Sequence, residues 1–226
     1  MSRKRRQRTA TKASASGGSD SLETIFRAAV KDHQAGRLEQ AEKKLNRIQK
    51  IQPDIAEVLH LFGVVLLKTG RPAAAADALA KAARALPHSV DVFNLLGIAL
   101  CEDGKPGEAL RALEKAVDLN PNSAKAHYNL GNSYRDLGRP IEAAAGFRNA
   151  VALAPDFADA HYNLGLMLDE AGRFVAAADA YRRVMAINPK DAVALNNLAN
   201  TLRQLGDPEA AVEALRNVGK IDPGYP

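Results

Sequence analysis

Residues 126–131 read AHYNLG, and residues 160–165 read AHYNLG again. An identical hexapeptide at a spacing of 34 residues points to a structural unit repeated along the chain. The spacing holds well beyond that pair. Glycine recurs at Gly36, Gly70, Gly104, Gly138, Gly172 and Gly206, and proline at Pro53, Pro87, Pro121, Pro155, Pro189 and Pro223. Alanine keeps the same register at Ala41, Ala75, Ala109, Ala143, Ala177 and Ala211, and no insertion breaks the frame across six copies. With Leu22 as position 1, the units are 22–55, 56–89, 90–123, 124–157, 158–191 and 192–225.

Each marker has a physical task. The glycine at position 15 takes positive φ at little cost and ends a first helix. Pro72, Pro106, Pro140 and Pro208 follow two residues later, and proline suits the start of a second helix because no N–H is needed there. The proline at position 32 stops that helix, and Ser89, Ser123 and Asp191 at position 34 can cap the next unit's first helix. Each unit therefore reads as a helical hairpin, with helix A at positions 1–14 and helix B at about 18–31. The small alanine at position 20 lets the pair approach, and the larger residue at position 24 (Leu45, Leu79, Leu113, Phe147, Tyr181, Leu215) fills the space beside it.

Charge is distributed unevenly over the 226 residues, whose net charge is +5. Residues 1–21 carry six basic side chains against Asp20, so the other 205 residues are neutral. A chain without basic bias in its folded part has little to drive phosphate binding, so nucleic acid is a poor partner for it. The segment MSRKRRQRTATKASASGGSDS lacks apolar periodicity and is expected to be disordered; its RKRRQR run has no aromatic residue on which bases could stack. No run of about 18 apolar residues suggests a membrane span. Behind the polar N-terminus no apolar stretch follows, and the lone Cys101 cannot form an internal disulfide; a cytoplasmic protein is expected.

The unit pattern resembles the tetratricopeptide repeat (TPR), with HYNLGNSY at 127–134, Ala143, Phe147, Ala150 and Pro155 as the copy most like it. The first unit departs most, with Ala28 and Ala29 in place of a Leu-Gly pair and Asp32 in place of a large residue. The resemblance implies an all-α, right-handed solenoid whose A helices line the concave face, and a role in binding a protein or peptide.

On helix A, positions 2, 6, 9 and 13 share one stripe. Along it the N-terminal half presents Leu61, Val64, Leu95 and Ile98, and the C-terminal half presents Asn129, Asn132, Asn163, Asn197 and Asn200, interrupted by Leu166. An amide offers both donors and an acceptor, so a row of them suits the backbone of an extended peptide. The expected contact residues are these five asparagines, Lys125 for acidic side chains, and Leu61, Leu95 and Ile98 for an apolar anchor. The bland alternatives are that the asparagines satisfy backbone groups between neighbouring helices and that the apolar set is core. The dicarboxylate clamp of chaperone-binding repeats is matched by Lys125, Asn129 and Asn163, but Val193 and Asn197 stand where it needs Lys and Arg. Asn129, Asn163 and Asn197 match better the asparagine ladder of the O-linked N-acetylglucosamine transferase superhelix. That likeness raises a second reading: a substrate-recruiting arm of a glycosyltransferase whose catalytic domain is absent from this chain.

No catalytic constellation emerges, and neither metal nor other cofactor is expected. His127 and His161 share position 4 in successive units, too far apart for one metal, and fill the place of a large residue. Asp169 and Glu170 diverge on a helix, Gly104-Lys105 lacks the rest of a phosphate loop, and no base neighbours Cys101. The first unit places Arg27, Lys31 and Asp32 on a polar outer side. The last helix carries Ala211, Val212, Leu215, Val218 and Ile221 with nothing to cover its far side, which marks it as a candidate surface for homo-oligomerisation or for another docking element, or as the edge of a longer protein.

Overall fold

The computed structural model describes residues 21–221 and residue 224. The expected disorder of residues 1–21 falls, apart from Ser21, outside the described residues. Among the described residues there are twelve α-helices and no strand. The A helices are α1 (Leu22–Gln34), α3 (Ala56–Lys68), α5 (Val90–Glu102), α7 (Ala124–Asp136), α9 (Ala158–Glu170) and α11 (Ala192–Gln204). The B helices are α2 (Leu38–Ile51), α4 (Pro72–Ala85), α6 (Pro106–Leu119), α8 (Pro140–Leu153), α10 (Phe174–Ile187) and α12 (Pro208–Ile221). They run over positions 17–30, one residue earlier than the sequence suggested, because the proline itself is the first helical residue.

The six glycines between A and B all have φ between 67° and 77°, where a side chain would be strained. Ser21, Ser89, Ser123 and Asp191 each accept a hydrogen bond from the backbone N–H three residues on, whereas Ile55 and Phe157 give α3 and α9 no side-chain cap. Within a hairpin, the position-24 side chain sits on the position-8 glycine: Leu79 on Gly63, Leu113 on Gly97, Phe147 on Gly131, Tyr181 on Gly165. A Cβ at those glycines would come within 2.4–2.8 Å of that side chain. These four large residues are fully buried, and such burial contributes about 1.5–3 kcal/mol each. Leu215 differs: 47% of it stays exposed, beside Val212, since no further helix of the described residues packs on that side.

The first unit also corrects an expectation. Asp32 is not on a polar outer face; it is 6% exposed and bonded to Lys44 and Arg37. Positions 11 and 23 hold a large residue and Ala or Gly in every other unit, and here both are replaced together by Asp32 and Lys44. The ion pair thus takes the volume of an apolar contact.

Each B helix packs against the A helix of the next unit, and A helices also touch one another, α1 on α3, α3 on α5 and α5 on α7. Such contacts draw the A helices of the first four units together, as on the inner side of a curved stack. No helix among the described residues is long and apolar enough to cross a membrane.

Candidate functional site

Three of the five asparagines expected to face a ligand are joined across units. Asn129 Nδ2 donates to Asn94 Oδ1 at 2.8 Å, Asn163 Nδ2 to the Tyr128 hydroxyl at 3.1 Å, and Asn197 Nδ2 to the Tyr162 hydroxyl at 3.1 Å. Every acceptor lies 35 residues earlier, at position 5 of the preceding unit. Arg135 Nη1 donates to Asn163 Oδ1 at 3.0 Å, and Asn163 is only 7% exposed. Asn163 is therefore an enclosed link, whereas Asn129 and Asn197 remain half-buried with a second amide N–H each.

The other asparagines behave differently. Asn200 is exposed. Asn132 is half-buried, and its Oδ1 is buried with no hydrogen-bond partner. It lines a recess of about 300 Å³ between α5 and α7, together with Ile98, Leu113, Asn129, Glu102 and the paired Arg135 and Asp136. This recess joins the two halves of the stripe, with Ile98 from the apolar side and the two amides from the polar side. It also shows that positions 6, 9 and 13 of successive A helices open onto one surface.

Leu61 is half-buried against the core shared by the first two units and Leu95 against that shared by the second and third, so each divides its surface between packing and groove. Lys125 is exposed in the first turn of α7. Cys101 is half-buried at the recess, and burial pushes its thiol up from its ordinary value, which disfavours the nucleophilic thiolate. His127 and His161 donate through Nε2 to the carbonyls of Pro121 and Pro155, at 2.9 and 3.0 Å, so each ties its helix to the preceding turn. Asp169 accepts from the Thr201 hydroxyl. Among the described residues, no group of three His, Cys, Asp or Glu is arranged to hold a metal.

The inter-unit partners Asn94, Tyr128 and Tyr162 escaped the sequence reading. A signal was present: wherever position 6 is Asn, position 5 of the preceding unit is Asn or Tyr, and wherever it is Leu (Leu61, Leu95), that residue is Phe26 or His60.

Family models described as tetratricopeptide repeat match residues 27–90 and 128–192, and 168–226, and one described as TPR repeat matches residues 97–138. No curated protein matches the sequence. Among solved structures, a MamA protein is 28% identical with a TM-score of 0.67, over 71% of this chain and 94% of that one. The PilF protein of Pseudomonas aeruginosa is 21% identical with a TM-score of 0.76, over 90% and 93%. YrrB, described as a TPR protein with an unusual peptide-binding site, is 21% identical with a TM-score of 0.66, over 80% and 93%.

Proposed function

The chain belongs to the tetratricopeptide repeat family, a right-handed α-solenoid, and from that premise we propose that its inner face holds an extended segment of a partner protein. A repeat scaffold of this kind serves protein–protein interaction. The finer reading rests on one observation: a row of side-chain amides and tyrosine hydroxyls, one unit apart, whose orientation is set by bonds between units. Each linking amide spends one N–H on its neighbour. Asn129 and Asn197 keep the second N–H for a ligand, and Asn132 and Asn200 lie outside the linking bonds. Side chains held in place before binding lose less freedom when a peptide arrives. Leu61, Leu95 and Ile98 extend the row as an apolar stretch, and Lys125 stands at its edge. Net gains of about 0.5–1.5 kcal/mol per bond make such binding weak and tolerant of sequence.

The test uses peptides selected from a random library on the immobilised full chain. The double variant Asn132→Ala with Asn200→Ala removes amides that do not link units. It is expected to bind the selected peptides about tenfold more weakly, with helicity and melting unchanged. Equal binding by wild type and variant would sink the reading.

A further inference from the structure

The A helices of the central units carry a net negative charge that their B helices do not. In α5, α7 and α9 the carboxylates Asp91, Glu102, Asp136, Asp159, Asp169 and Glu170 face two cations, Lys125 and Arg135. In α6, α8 and α10 five carboxylates stand against five cations. The described part of the chain is close to neutral, so the acid is concentrated on the helices that line the inner side. Arg135 offsets little beyond its neighbour, because its guanidinium is already bonded to Asp136 and Asn163. Position 13 reads Glu102, Asp136 and Glu170 in three successive units, an acidic row one repeat apart beside the amides.

The recess between α5 and α7 adds a local feature to this field. Ile98 and Leu113 give it an apolar floor, and Glu102 and Asp136 an acidic edge on which Arg135, also in the lining, is paired with Asp136 and leaves Glu102 without a cation in the recess. An arginine or lysine side chain suits both, with its methylenes on the floor and its cationic head at Glu102. We propose that the occupant of the inner face is a basic extended segment of a partner protein, anchored by an arginine or lysine in this recess. The proposal rests on the peptide-holding reading above and adds the chemistry of the peptide.

The experiment measures fluorescence anisotropy of labelled peptides with the full chain: one alternates arginine and alanine, another glutamine and alanine. The groove variant combines Glu102→Gln, Asp159→Asn and Glu170→Gln. A control of equal charge change on B helices combines Glu108→Gln, Asp118→Asn and Glu213→Gln. Circular dichroism checks that both fold.

The arginine peptide is expected to bind better than the glutamine peptide and to weaken with added salt. It should lose roughly tenfold on the groove variant and under about twofold on the control. Failure to bind the arginine peptide, or equal losses on the two variants, overturns the proposal. If the glutamine peptide binds as tightly, and Asn132→Ala with Asn200→Ala abolishes both, the groove reading stands and the basic preference falls. If replacing Arg3, Lys4, Arg5, Arg6 and Arg8 by Gln in the full chain tightens the arginine peptide by about tenfold or more, the chain's own N-terminal segment is the occupant and the partner assignment falls.

Discussion

Tyr181 is fully buried, yet its hydroxyl has no hydrogen-bond partner, and burial raises its pKa far above the usual phenol value. A polar group left unpaired costs stability, so Tyr181→Phe is expected to stabilise the chain by about 1 kcal/mol in urea denaturation. Asn163→Ala should act oppositely, losing about 1–3 kcal/mol, because it removes the inter-unit bond to the Tyr128 hydroxyl and the acceptor of Arg135 Nη1. Asp32 carries a pH dependence. The Lys44 ammonium, then the Arg37 guanidinium, hold its carboxyl below the ordinary value. A depressed folded pKa contributes stability above the unfolded pKa and loses it as pH falls through the folded one. Below about pH 4 the melting temperature of the wild type should therefore fall more steeply than that of Asp32→Asn, the two converging in acid. The asparagine row was legible in the sequence because its period is the unit's own. Its links to Tyr128 and Tyr162 were not, since a bond 35 residues back joins different positions of two units and no single-unit pattern displays it.

At the scale of the element, the hairpin was readable because glycine, proline and the capping residues act through local backbone chemistry. The closeness of two crossing helices was not. Position 23 is alanine in four units, which makes Gly146 look replaceable. A Cβ on Gly146 would nonetheless meet the Gly131 backbone at 2.9 Å and the His127 carbonyl at 3.0 Å, so α7 and α8 cross where neither can give way easily. Gly146→Ala is expected to cost about 1–3 kcal/mol by chemical denaturation although it installs the residue found in sister units. The caps provide a milder comparison. Ser123→Ala removes the acceptor for the Ala126 N–H, at a cost of about 1 kcal/mol.

For the whole molecule, contacts join each helix to its neighbours in the stack and to little else. Stability is then close to a sum of unit terms and neighbour terms, so amide hydrogen exchange should be slowest in α7–α10 and faster toward α1 and α12. The constant frame of 34 residues made this architecture readable before any coordinates, because every unit buries its face against the next in the same way. The inner face was harder to read: its charge belongs to no one unit and emerges only when A and B helices are compared across three of them. The same neighbour-only connectivity bears on synthesis. A hairpin has its docking surface ready once the preceding one has folded, and waits for nothing further along the chain. The protein can thus acquire its structure in the order in which it is translated, each unit settling onto the last while later ones are still inside the ribosome.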